Sequence, residues 1–144
     1  MQYTIEETAG YLVYRVGRLL RYRAGQYFKQ EGLDISPEQW MLLLLVHERG
    51  EAMLSDLVEP VVGDHPNVTR MVTGLEKLGY LERQRNPEDK RSRLVSLTPK
   101  AQVLVHDVLP NLIEAKAAYF EGLDQTDVSR MISSLQVVLA NLEA

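Results

Sequence analysis

Apolar positions recur along this chain with two different periods. Between residues 5 and 30, Leu12, Val16, Leu19, Leu20, Ala24, Tyr27 and Phe28 fall near one arc of a helical wheel, which predicts a long helix ending at Gly32. Ser36-Pro37-Glu38-Gln39 supplies a cap residue, Pro at the first helical position and Gln where a capping box needs it. A second helix is therefore predicted from Pro37 to about Glu48, ended by Gly50, and its run from Trp40 to Val46 is apolar enough to lie deep in a core. A short helix is predicted from Ser55 to Val61 or Val62, closed by Gly63. Asp64 and Pro66 then open another, which runs to Lys77 or Leu78 before Gly79.

The period then shortens. Leu81-Glu82-Arg83-Gln84-Arg85 and Arg93-Leu94-Val95-Ser96-Leu97 alternate in side-chain character, as paired strands do, around the polar loop 86–92. Thr98-Pro99 caps a predicted helix from about 99 to 121, with a bend expected near Val108-Leu109 because Pro110 removes a helical hydrogen bond. A last helix, starting at Asp124 or Thr126, carries Val128, Met131, Ile132, Leu135, Val138, Leu139 and Leu142 on one stripe. The fold class expected is mainly α with a small β-hairpin. A short helix, a turn and a second helix make a helix-turn-helix, and the hairpin behind it makes a winged one, over residues 33–98.

Charge adds a location. The net charge of −4 is spread unevenly: residues 65–100 hold eight Lys/Arg against four Asp/Glu, whereas residues 31–64 hold one against eight. A basic island in an acidic chain is the footprint of a phosphate-binding surface, and equally of a merely solvated face. The second helix of the motif separates the two. Val68, Met71, Val72, Leu75 and Leu78 follow inward spacing, which turns His65, Pro66, Asn67, Thr69, Arg70, Thr73 and Gly74 the other way. Arg forks onto guanine, Asn onto adenine, and Thr meets a thymine methyl, so this face suits a major groove. At the hairpin tip, Lys90, Arg91 and Arg93 suit a narrow minor groove, whose focused potential draws arginine. Asp89 is expected to hold an arginine side chain in place for insertion, the alternative being a weak surface ion pair. Double-stranded DNA is the expected partner; a winged helix kept for protein contacts is the alternative.

Other chemistry finds little support. No cysteine is present, so disulfides, thiolate metal sites and thiol redox switches are out. His47, His65 and His106 stand apart, and no phosphate loop or nucleophile elbow occurs, so neither metal, cofactor nor enzyme activity is expected. No apolar run reaches the length of a membrane span, and the first residues carry no basic stretch, so a cytoplasmic protein of one 144-residue chain is expected.

These residues resemble the multiple-antibiotic-resistance regulator (MarR) family over about residues 5–142. The likeness lies in Leu33 to Trp40, in Val68-Thr69-Arg70 with Leu75 to Arg83, and most specifically in Asp89-Lys90-Arg91-Ser92-Arg93-Leu94-Val95-Ser96-Leu97-Thr98. The resemblance implies a two-fold homodimer joined by its outer helices, here 5–30 and 99–142, with Val128, Ile132, Leu135, Val138, Leu139 and Leu142 in the joint. It implies a pseudo-palindromic operator with recognition helices about 10 base pairs apart, Arg91 as the minor-groove arginine, and commonly a repressor released by a small aromatic or anionic ligand. Tyr11, Tyr14, Arg15, Arg18, Tyr22, Trp40 and Met53 are the candidates to line such a pocket, with plain core or interface packing as the competing reading.

Overall fold

The computed structural model describes residues 2–61, 64–89 and 91–144, in two compact units, residues 1–105 and 106–144. In the first, a single 3-10 turn over Ile5–Glu7 precedes helix α1, Ala9–Gln30. The helix expected from residue 5 thus starts four residues later. Thr8 causes the break: it stays extended and its hydroxyl accepts the Tyr11 N–H at 3.3 Å, a local cap that ends one turn and starts the next. Helix α2, Pro37–Arg49, begins with the full capping box, Ser36 Oγ accepting from the Gln39 N–H at 3.1 Å and Gln39 Oε1 from the Ser36 N–H at 2.9 Å. It buries Trp40, Leu42, Leu43 and Val46.

Gly50, at φ 79°, ends α2 in a conformation that costs a glycine little and turns the chain into strand β1, Glu51–Met53. This strand was not expected. Three residues are too few for a period-2 pattern to register, and its place depends on a partner 43 residues away: β1 pairs antiparallel with β3, Ala52 opposite Val95. The expected two-stranded hairpin, β2 (Leu81–Arg85) and β3 (Arg93–Leu97), is therefore part of a three-stranded sheet of order β1-β3-β2. The short helix expected from Ser55 is a 3-10 turn, Leu54–Leu57, running into helix α3, Val58–Val61, which ends at the first of its two expected ends; the other, Val62, and the closing Gly63 lie outside the described residues. Helix α4, His65–Lys77, has Asp64 as its cap, accepting the Asn67 N–H at 2.8 Å, and Pro66 in its first turn.

The core of this unit joins Phe28 of α1, Trp40, Leu42, Leu43 and Val46 of α2, Leu57 of the 3-10 turn, Val68, Val72 and Leu75 of α4, and Leu81, Val95 and Leu97 of the sheet, all buried. Among the described residues no buried side-chain polar atom lacks a partner. On the surface, Arg21 of α1 forks onto Glu38 of α2, Nη2 to Oε2 at 2.9 Å and Nε to Oε1.

Helix α5, Pro99–Ala117, runs through the boundary between the units and contains Pro110. It stops short of the expected residue 121 and yields to a 3-10 turn, Ala118–Phe120. In the second unit Asp124, not Thr126, caps helix α6, Gln125–Glu143: Asp124 Oδ1 accepts from the Asp127 N–H at 2.8 Å and Asp127 Oδ2 from the Asp124 N–H at 3.1 Å. On α6, Ile132, Leu135, Val138, Leu139 and Leu142 are exposed and Val128 is half-buried. No helix among the described residues is long and apolar enough to cross a membrane.

The Arg21 hydrogen bonds hold the Glu38 carboxyl below its ordinary value of 4.5, against an opposing push from partial burial. The folded form thus sheds its proton at lower pH than the unfolded chain, so the pair stabilises fully above the ordinary value and fades as pH falls through the folded one. Both groups are partly solvated, which limits the effect to less than about 1 kcal/mol. Glu38→Gln is expected to be less stable than the parent by that amount at pH 7. In urea titrations the two proteins should converge as pH drops well below 4.5; a constant gap across that range would refute the pair's contribution.

Candidate nucleic-acid interface

Helix α4 is two-faced by construction. Val68, Val72 and Leu75 are wholly buried, which leaves His65, Pro66 and Arg70 exposed and Asn67 and Thr69 half-buried on the far side. The polar residues there are linked. Asp64 caps the helix and accepts from Asn67 Nδ2 at 3.3 Å; Asn67 Oδ1 in turn accepts from Arg70 Nη2 at 2.9 Å. A guanidinium held at one edge by an amide keeps its other donors for an outside acceptor. Two residues assigned to this face by spacing are engaged elsewhere. The Thr73 hydroxyl donates to the Thr69 carbonyl at 2.9 Å and accepts from Arg83 Nη2 at 2.9 Å. Gly74 is half-buried against α2, and a Cβ there would stand 3.0 Å from Gln39 Nε2. The glycine permits close approach of α4 to the capping box of α2.

Arg83 was not among the expected site residues, yet it ties the hairpin to the helix. Besides Thr73 it reaches Glu76, Nε to Oε1 at 2.6 Å, so one side chain of β2 grips the exposed edge of α4 over a full turn. The signal that could have found it is the alternation along β2, where Arg83 shares a strand face with the buried Leu81. At the other end of α4, Gly79 takes φ 80°, and the exit is bound to the start of α5. Thr98 Oγ1 donates to the Gly79 carbonyl at 2.6 Å, Lys100 Nζ donates to the Leu78 carbonyl at 2.7 Å, and the same ammonium lies 4.8 Å from the centre of the Tyr80 ring.

The hairpin loop is ordered by its own side chains. Asn86 Oδ1 accepts the Glu88 N–H at 3.0 Å, its Nδ2 donates to Ser92 Oγ at 3.0 Å, and the Ser92 hydroxyl donates to the Asp89 carbonyl at 3.2 Å. Asp89 departs from its expected role. Its Oδ1 accepts the backbone N–H of Arg91 at 3.0 Å, a turn that two residues' separation favours, and no ion pair joins Asp89 to an arginine among the described residues. It shapes the backbone that carries Arg91 rather than gripping a guanidinium. Arg91 and Arg93 are exposed; Lys90 lies outside the described residues.

The candidate ligand residues separate. Tyr11, Tyr14, Arg15, Arg18 and Tyr22 lie along one face of α1, with Arg15 Nη1 donating to the Tyr11 hydroxyl at 3.0 Å. That hydrogen bond raises the Arg15 pKa further above its already high value. Arg18 and Tyr22 border an open cleft of about 380 Å³ with Leu19 and Arg21. Trp40 is not with them: it is buried, its ring centre 5.8 Å from that of Phe28, and belongs to the core. Met53 stands half-buried on β1, its sulfur 3.8 Å from Asn86 Nδ2 at the root of the hairpin. No cluster of three metal-ligating side chains occurs among the described residues.

Arg83→Met is expected to cost about 1 kcal/mol, a charge-assisted bond discounted for partial exposure. It should also speed amide exchange in residues 81–85 relative to α2; unchanged exchange there would mean that the arginine does not hold the hairpin.

Comparison with known proteins agrees with this geometry. Residues 35–92 match the model of the MarR family. The chain is 25% identical over 111 residues to the HTH-type transcriptional repressor IacR of Pseudomonas putida, a match that covers 77% of this chain and 66% of that protein, just under two thirds of its length. Among solved structures, a mutant MarR from E. coli complexed with operator DNA superposes with a TM-score of 0.76 at 25% identity, over 90% of this chain and 92% of that one. CouR from Rhodococcus jostii RHA1, solved bound to p-coumaroyl-CoA, gives 0.84 at 25% identity over 95% of each chain. Its winged helix-turn-helix lies at the position the family model matches, and over residues 35–92 the chain is similar to the MarR family.

Proposed function

We propose that this protein is a sequence-specific, double-stranded DNA-binding transcription regulator that works as a homodimer and represses until a small aromatic or anionic ligand releases it. The observation that carries the reading is α4, whose apolar side is wholly buried while His65, Pro66, Asn67, Thr69 and Arg70 stand on the other side beside a basic hairpin. In this reading α4 enters the major groove, Arg91 and Arg93 of the wing meet the minor groove and its phosphates, and Thr73 orients Arg83. The operator complex of the E. coli relative and the repressor role of IacR support it.

Dimerisation is proposed through the outer helices. Along α6, Val128, Ile132, Leu135, Leu139 and Leu142 step by four, three, four and three residues, the seam of a coiled coil, and nearly all are exposed in the single chain. Such a stripe needs cover. The Tyr and Arg side chains of α1 are proposed to meet the effector, a reading supported by the acyl-thioester bound to CouR. A cytoplasmic location and a task of binding rather than catalysis are part of the same proposal.

Arg91→Ala is expected to weaken binding to a selected duplex by roughly 1–3 kcal/mol while the dimer stays folded; equal affinities would refute the wing assignment. For the parent, affinity should fall on the order of 10³-fold between 50 and 200 mM salt if six or more phosphates are neutralised. A protein-only winged helix would show no such binding. Replacing Leu135 and Leu139 together by Asp should halve the mass in sedimentation or unfold the chain. An unaltered dimer would place the interface elsewhere.

A further inference from the structure

The last rung of the hairpin sets two arginines directly opposite each other. Arg85 closes β2 and pairs with Arg93, which opens β3, and both are exposed. Like charges in this position destabilise an antiparallel pair. Among the described residues nothing relieves them: neither guanidinium has a carboxylate within ion-pair distance. The rung is nonetheless held firmly, since the Asn86 N–H reaches the Ser92 carbonyl at 3.4 Å and Asn86 Nδ2 reaches Ser92 Oγ at 3.0 Å immediately beyond it. Strand alternation also fixes which way the pair looks. Arg85 and Arg93 share the sheet face of Leu81, Arg83, Val95 and Leu97, the face from which Arg83 grips α4.

We infer that Arg85 and Arg93 together form a phosphate-binding rung, two guanidinium forks closing on one backbone phosphate of the duplex along the flank of the wing turned toward α4. The inference rests on the DNA-binding reading and adds Arg85 to it. An anion between the two forks converts their repulsion into two charge-assisted contacts, and planar guanidinium groups suit phosphate oxygens in a way that lysines in the same places would not. The rung carries no base information. It sets the wing's height on the backbone, and Arg91 at the tip does the reading.

The test uses Arg85→Gln, Arg93→Gln and the double variant in the full-length dimer. Binding of labelled duplex, both the selected operator and a scrambled sequence, is followed by anisotropy over a range of salt. Each single variant should weaken both duplexes on the order of tenfold and lower the slope of log affinity against log salt by about 2, one phosphate in each of two protomers. The double variant should be little worse than either single one, because the phosphate is shared. Additive losses would mean two separate contacts and overturn the rung, as would unchanged slopes. Without DNA, the single variants should melt at or above the parent temperature; lower melting would overturn the claim that the pair is repulsive until an anion arrives. If the parent binds no duplex, the DNA reading falls by itself, and melting in inorganic phosphate against chloride at matched ionic strength judges the rung. A phosphate stabilisation lost in the double variant supports it, and its absence in the parent refutes it.

Discussion

The insertion of Val68, Val72 and Leu75 into the core governs everything else in the first unit. Three side chains without solvent exposure, spaced by four and three residues, fix both the depth and the rotation of α4. With that rotation set, the polar positions of the helix have no freedom to choose their direction. The Asp64–Asn67–Arg70 chain of hydrogen bonds, the contact of Gly74 with Gln39 and the grip of Arg83 on Thr73 and Glu76 are all consequences of where the apolar stripe points. Burial of this kind is worth about 1.5–3 kcal/mol per large aliphatic side chain, more than any exposed pair on the surface can match.

The hairpin illustrates a different economy. Its outer end has little core to lean on, so short polar side chains do the ordering. Asn86, Asp89 and Ser92 satisfy backbone groups within the loop, and Arg83 fastens the root to α4. The arginines nearer the tip are thereby presented on a framework that does not consume their charge.

Much of this was legible in the residues. The α4 stripe, the capping box at Ser36, the alternation in β2 and β3 and the basic island between 65 and 100 are local patterns, and each survives folding because a local cause produces it. What could not be read depends on distant partners. Strand β1 exists only because β3 offers it an edge, and Trp40, whose apolar run already pointed to the core, is kept from the α1 tyrosines by its packing against Phe28. Thr73 falls on the outward arc by wheel geometry, but Arg83 of the next strand claims its hydroxyl. Asp89 was misjudged for a subtler reason: a short side chain reaches the N–H two residues on more easily than a guanidinium that must fold back to find it. The outward polar face of α4 and the basic hairpin were thus visible as composition, and their internal wiring was not.

The bonding at the exit of α4 bears on how a signal could travel. The two carbonyls there are held by Thr98 and Lys100, one on each side of the first residue of α5, and the aromatic ring of Tyr80 is pinned by the same ammonium. Rotating α5 about its own axis would drag the trailing end of α4 with it or else strand those carbonyls without donors. The two helices are therefore tied at this point, and the trailing end of α4 cannot shift against the first turn of α5 without leaving those carbonyls unpaired.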